Sequence, residues 1–460
     1  MNLAKKKFAF LFFILIQPNL IANISSDSLL YFPVSLLAQP PDTNLSDNKF
    51  LTQIAEDTWK FFENSVYVES GLIPDNIKIA KRQIADYTSI TNIGFYILSV
   101  ICAKELGFIN DEQAIFRIQK TISTVKSLPT YNGFYFNWYD IRSRTNSNYF
   151  ISSIDAAWFY SSLAVLSLTY PDEFGKECDT LIKLADFAWL YNDSLKHFRL
   201  GYDAKQNTFS PYHYELLCSE SRIITYFALS QNTLPPESWY YQKRTLSAEF
   251  EQEQKPIGKW KSYNNINYFE GYYTYCGKKI FPSWGGSLFE YLMPSLLVNE
   301  RIIAPLGIGK NNQTAIEIHI DYALNTLKYP IWGLSPSSTP DGKYGEFGVP
   351  SIGTKKGGYT SEIISPYASI LAISYNPEAV IKNLKNMISL YPVYGEYGFY
   401  DSIDPMNNSV GYTYLALDQA MILISLTNYL QENVIANRFM SLPNMNTMLD
   451  LISKETQFED

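Results

Sequence analysis

The chain has 460 residues and a formal charge of -8, with 46% hydrophobic and 18% charged side chains. It is too apolar and too weakly charged to be disordered, and 23 Gly with 23 Pro exclude collagen-like and low-complexity classes. No Lys/Arg-rich stripe follows the first few residues, so no nucleic-acid partner is expected.

In chain order, Lys5, Lys6 and Lys7 precede nine apolar residues, Phe8 to Ile16, and a small Ala22. That is the layout of a secretory signal peptide (1–22), too short to span a bilayer comfortably. Cleavage is placed near Ala22, with Ala38 as second choice and an uncleaved anchor as the alternative. An exported protein, periplasmic or extracellular and without stable membrane insertion after cleavage, is expected. Residues 23–46 hold Pro33, Pro40 and Pro41 without helical periodicity and read as a linker.

From there, helical patterns recur at 48–66, 88–106, 111–127, 153–168, 172–192, 215–230, 285–298, 312–328, 361–374, 377–390, 412–430 and 431–440. Ile90, Ile93, Ile97 and Ile101 share one face, and Asn110-Asp111 and Pro171-Asp172 are start signals. Strict alternation is scarce, so a sheet of any size is not expected; 195–212 and 257–282 are the places for short hairpins. About twelve helices over residues 47–440 have the length of a double ring of six inner and six outer helices, with 441–460 as a tail.

Aromatic residues are abundant (36 Tyr, 28 Phe, 8 Trp), and Tyr offers a flat apolar face with a hydroxyl edge, which suits a neutral polyhydroxylated ligand. Filling of half-buried positions explains them equally well. Three histidines and four cysteines, none close to another, leave no metal-ligand spacing, so neither a metal nor another cofactor is expected. The cysteines leave open both disulfides and free buried thiols.

Motifs rich in aromatics and carboxylates run through the chain: GLIPDN (71–76), TSITNIGFYILS (88–99), FNWYD (136–140), SSID (152–155), SESR (219–222), SWGGSLFEYLMP (283–294), WGLS (332–335), FGVP (347–350), SPYA (365–368) and GFYDSIDP (398–405). In this order, over about residues 50 to 430, they resemble the glycoamylase-like domain family. That family includes secreted bacterial β-1,2-glucan-degrading enzymes and the central domain of cyclic β-1,2-glucan synthases. The resemblance implies an all-α (α/α)6 barrel and chemistry on an oligo- or polysaccharide, a β-linked glucan.

Glycosidic cleavage needs one carboxylic acid to protonate the leaving oxygen and one carboxylate to activate water or attack carbon, and neither His nor metal. Glu220 is the first choice for the acid, because the resemblance places a general-acid glutamate there and its position is read as helical, where capping is a poor account. Glu290 or Asp155 is expected as base or nucleophile, although each stands three residues after a serine (Ser287, Ser152), a spacing that helix capping alone would explain. Asp140, before Arg142 and Arg144, is a further catalytic candidate with a loop salt bridge as its rival. Trp138, Tyr139, Trp284 and Trp332 are candidate sugar platforms, with Arg222, Tyr367 and Asp401 as further substrate contacts; Asp401 and Asp404 also suit a turn before Pro405.

Two departures from the family pattern bear on activity: Ala156-Ala157-Trp158 after the SSID motif, and Pro336 where synthase-type domains often carry an acid. Glu346 or Glu362 would be the substitute carboxylate for the latter. A glucan hydrolase, expected on β-1,2 linkages, leads; a transglycosylase and a catalytically silent carbohydrate-binding envelope protein are the alternatives.

Overall fold

The computed structural model describes residues 31–458. The helices are α1 (Asp47–Ser65), α2 (Ile90–Glu105), α3 (Asp111–Val125), α4 (Ser153–Thr169) and α5 (Lys176–Leu184). They continue with α6 (Arg222–Ser230), α7 (Leu288–Leu292), α8 (Glu300–Ile303), α9 (Ile308–Asp321) and α10 (Pro366–Ile370). The last are α11 (Pro377–Leu390), α12 (Ala416–Leu430), α13 (Val434–Met440) and α14 (Met445–Ser453).

They fall into two kinds. α2, α4, α6 and α12 are apolar around most of their circumference and buried along nearly their whole length, as a helix enclosed by others must be. α2 packs against α4 and α12, α4 against α6, α10 against α12 and α7. The amphipathic helices cover these from outside: α1 lies on α2 and α12, α3 on α2, α5 on α4, α14 on α6, α9 on α7 and α11 on α10. The core therefore follows the buried set, with α3 and α11 burying one stripe each.

Many short antiparallel strands accompany the helices, in sheets of two or three strands among the described residues. The strictly all-α expectation is corrected to that extent: pairs of two or three residues are too short to show alternation. They matter because they feed the buried helices. Tyr87–Ser89 pairs with Trp138–Asp140 and leads into α2; Phe150–Ser152 pairs with Gly201–Asp203 and leads into α4. Thr413–Leu415 pairs with Asn76–Lys78 and leads into α12. The largest sheet, Ile257–Tyr263, Ile266–Tyr275 and Lys278–Ile280, lies where a hairpin was expected.

The expected helix at 172–192 is interrupted: a π-turn (Pro171–Gly175), α5 and a 3₁₀ turn (Phe187–Leu190) replace it. Helix α6 starts seven residues later than expected, so Glu220 stands in the turn before it. The segment 441–460, expected as a tail, carries α14 and Glu455, whose carboxylate accepts from Arg244 Nη2 at 2.6 Å and Trp239 Nε1 at 2.7 Å. Within the expected linker, residues 31–38 are strapped to the loop at 394–400: Tyr400 Oη donates to the Leu36 carbonyl at 2.6 Å, and Glu396 accepts from the Val34 and Ser35 amides. The signal-peptide segment lies outside the described residues, and among those described no helix is long and apolar enough to cross a membrane.

Candidate active site

The candidate side chains sit where the buried helices begin. Ser89 Oγ caps α2 by accepting from the Asn92 amide at 3.0 Å, and Ser152 Oγ caps α4 by accepting from the Asp155 amide. Ser287 and Glu290 form a reciprocal capping box on α7. Asp155, Glu290 and Asp418 occupy the third positions of α4, α7 and α12, and Glu220 stands just before α6. Helix N-termini present unpaired amides and positive dipole ends, so they hold carboxylates in place.

Glu220 is half-buried and accepts from Ser219 Oγ at 3.0 Å. Burial first, and then the negative Glu290, push its carboxyl up to about 7, against the pull of Arg222. Tyr214 and Tyr359 lie within electrostatic reach of it.

Glu290 is 4% exposed. Its carboxylate accepts from Ser283 Oγ (3.0 Å), the Gly285 amide (2.9 Å), the Ser287 amide (2.9 Å) and Ser287 Oγ (2.7 Å). Burial raises its pKa while those donors oppose the rise. The turn they fold admits no side chain at Gly286, where φ is +78° and a Cβ would lie 2.1 Å from the Val349 carbonyl oxygen. A Cβ on Gly285 would run into the Tyr359 ring.

Asp155 accepts from Thr91 Oγ1 at 2.6 Å. Asn137, with its amide oriented as its neighbours require, donates to Asp155 Oδ2 at 3.1 Å and accepts from Trp138 Nε1 at 3.2 Å. Burial raises the Asp155 pKa. Trp138 is half-buried, edge-on to Tyr87, and Trp284 is 48% exposed. Both keep ring surface for a ligand.

A second carboxyl group of residues adjoins them. The Asp401 and Asp418 carboxyls interact with one another, and burial raises both, that of Asp418 further because of the Asp401 charge. Asp401 Oδ2 accepts from the Ser338 amide at 2.5 Å. Asp401 Oδ1, Asp418 Oδ2, Ser337 Oγ, Ser338 Oγ, Ser402 Oγ and Gln419 Oε1 are buried without a donor or acceptor from the protein. So many orphaned polar atoms in one place fit a site that expects hydroxyls or water. Asp75, held by Asn76 and Asn92, and the exposed Tyr344 are in electrostatic reach of this pair.

Other candidates are placed differently from their expected roles. Arg222 is fully buried and paired with Glu300, away from any ligand, because its guanidinium is enclosed by protein acceptors. Asp140 ties its own loop by accepting from the Arg142 and Ser143 amides. Tyr139 is buried with its hydroxyl donating to the Pro129 carbonyl, and Trp332 is buried with its backbone paired to Asn383. Tyr367 is buried beside Asp418 and donates to the Pro336 carbonyl, so Pro336 contributes a backbone acceptor. Asp404 caps a turn at Met406 and Asn407. Glu346 faces Lys355, and Glu362 is exposed. All four cysteines are free thiols, and among the described residues no group of three or more His, Cys, Asp or Glu could hold a metal ion.

Asp75, Asp418, Tyr344 and Tyr359 were not singled out from sequence, and Tyr214 only as part of the Tyr-rich loop before the SESR motif. Asp75 stands next to last in the GLIPDN motif and was legible there; Asp418 was not, because Leu415 stands where a capping hydroxyl would have drawn attention to it.

The geometry is that of a carboxylate-lined cluster at the helix N-termini of a helix-rich domain. Residues 213–443 match the family described as "Putative glucoamylase", and residues 53–197 match one described as "Protein of unknown function (DUF3131)". The chain belongs to the glucoamylase family so described. It is 24% identical to the cyclic β-(1,2)-glucan synthase NdvB of Rhizobium meliloti over 73% of this chain and 16% of that protein. It is 22% identical to the exo β-1,2-glucooligosaccharide sophorohydrolase of Parabacteroides distasonis over 87% of this chain and 57% of that protein. The fold is shared with the endo-β-1,2-glucanase of Chitinophaga pinensis (TM-score 0.70, 18% identity, 89% of this chain and 98% of that one).

Proposed function

We propose that the domain is an (α/α)6-barrel glycoside hydrolase acting on β-1,2-glucan, with Glu220 as general acid. The observation that carries this is the Glu220 carboxyl, protonated near neutrality and set among Glu290, Tyr214 and Tyr359. A general acid works best when its pKa lies near the working pH. The barrel is supported by the sequence of contacts from α12 through α2 and α4 to α6 and from α7 through α10 to α12, with a covering helix on each. The linkage is supported by the β-1,2-glucan named in the relatives' descriptions.

Glu220 would donate its proton to the leaving glycosidic oxygen while water, or a carboxylate, attacks the anomeric carbon from the other face. Four donor groups on Glu290 support an anchoring role whose charge keeps Glu220 protonated, in place of the nucleophile or base expected for it. The base is then Asp155 or the Asp401–Asp418 pair, carboxyls whose pKa values burial raises. Orphaned oxygens favour the pair. Trp138 and Trp284 would stack on sugar rings. Export by the N-terminal segment Lys5 to Ala22 belongs to the same proposal, supported by its three lysines followed by nine apolar residues.

Reducing-end release is measured on linear β-1,2-, β-1,3- and β-1,4-glucans and an α-glucan. Release from the β-1,2-glucan alone is expected; release confined to another polymer, or from none, would refute the assignment. Azide should restore turnover to Asp401→Asn and not to Asp155→Asn if the pair supplies the base, and the reverse pattern would move that role to Asp155.

A further inference from the structure

The Arg222 side chain has no solvent exposure, yet every donor of its guanidinium is used. Nε and Nη2 grip the two oxygens of Glu300 at 2.7 and 3.0 Å. Nη1 donates to the carbonyls of Leu217 (2.8 Å) and Ser219 (3.2 Å), and Nη2 also donates to the carbonyl of Tyr291 (2.9 Å). Ser219 directly precedes Glu220, and Tyr291 directly follows Glu290. One rigid planar fork therefore bridges the backbone beside both carboxyls.

Glu300 is equally enclosed. Besides the guanidinium it accepts from Tyr226 Oη (2.7 Å), Ser295 Oγ (2.9 Å) and Asn312 Nδ2 (2.8 Å). A buried ion pair of this kind is weak evidence for stability, because an apolar pair of similar volume often serves as well. Its fixed bidentate geometry is suited to setting a distance.

We infer that Arg222 and Glu300 form a positioning clamp that fixes the Glu220 turn against the start of α7, and so sets the separation and the dryness of the Glu220–Glu290 pair. The inference rests on the proposed role of Glu220. The groups facing Glu220 are Glu290 from α7, Arg222 from α6, Tyr214 from the strand His213–Tyr214 and Tyr359 from the loop before α10. Loosening the clamp admits water and lets Glu290 recede, and both changes lower the Glu220 pKa. A lysine at 222 keeps the positive charge but cannot reach three carbonyls and a carboxylate together.

The test uses Arg222→Lys and the milder Tyr226→Phe, which removes only one hydroxyl from Glu300. Two readouts are taken: the Glu220 carboxyl titrated by ¹³C NMR without substrate, assigned by its loss in Glu220→Gln, and kcat with KM on β-1,2-glucan. Arg222→Lys should lower the Glu220 midpoint by about one pH unit and kcat by about 10²-fold with KM within about 3-fold. Tyr226→Phe should move both the same way by smaller amounts, about 3-fold in kcat, and decides alone if Arg222→Lys does not fold. A folded Tyr226→Phe with unchanged midpoint and kcat would overturn the clamp. If the wild-type protein turns over no glucan, the functional proposal fails, while the titration still decides the clamp.

Discussion

Protonation of Glu220 couples its chemistry to stability. Its folded pKa, about 7, lies above that of an exposed glutamate, so its contribution is fully present below about pH 4.5 and is lost as pH rises through 7. Glu220→Gln removes the cost of burying the charge. The variant should match wild type in stability at pH 4 and exceed it at pH 8 by about 1–3 kcal/mol, which urea unfolding at the two pH values checks. Equal stabilities at both would show that Glu220 is not desolvated. The residue itself was legible from the SESR motif, but its setting was not: the periodic run of Ile223, Ile224 and Phe227 extends a helical reading back through 215–221, where a bridge from Cys218 to Ser283 holds the chain extended. Arg222 was misassigned because a sequence does not reveal Glu300, 78 positions away, as its partner.

Elements with their own caps were the easiest to read. α11, with Pro377 at its start, and α3, with the Asn110–Gln113 capping box, match the expected spans closely. The short strands were invisible because two or three residues show no alternation, and for some the partner is distant as well: Asn76–Lys78 finds Thr413–Leu415 only in the folded molecule. α14 was missed for a related reason, since its anchor is the Arg244–Glu455 pair across the chain. Truncation after residue 440 would leave Arg244 buried without its carboxylate and strip buried Met445, Met448 and Ile452 from the core, so a loss of more than about 5 kcal/mol is predicted, read from the shift in urea midpoint. Glu455→Gln alone should cost about 3–5 kcal/mol by leaving the Arg244 charge buried; a near-neutral result for both would return the segment to the tail expected from sequence. In the turn before α7, Gly285→Ala should displace Tyr359 and lower kcat on β-1,2-glucan by at least about tenfold, with wild-type activity contradicting the close contact.

Across the whole molecule, short strands lock the loops into a rim, and that rim presents Asp155, Glu220, Glu290 and Asp418 at the starts of four buried helices. Helix count and length made the layered architecture legible, whereas the convergence of carboxyls depends on which helices are buried. Two buried histidines oppose the raised carboxyls in the pH dependence of this assembly. His197 is held down to about 4 and His319 to about 3, both chiefly by burial. The unfolded chain binds the protons of these two more readily, so the contribution of each should fall below about pH 6.5 by about 1.4 kcal/mol per pH unit, and His319→Asn should lose less stability than wild type between pH 6.5 and pH 5 in urea unfolding, an unchanged difference contradicting the burial of a neutral imidazole. The central claim, that Glu220 delivers the proton to the leaving oxygen, is tested most directly by comparing Glu220→Gln on β-1,2-glucan and on 2,4-dinitrophenyl β-sophoroside, whose leaving group needs no proton. Loss of about 10²–10⁴-fold on the glucan, near-wild-type cleavage of the aryl glycoside and disappearance of the activity decline above pH 7 are predicted. Equal losses on both substrates, or survival of that decline in the variant, would contradict it.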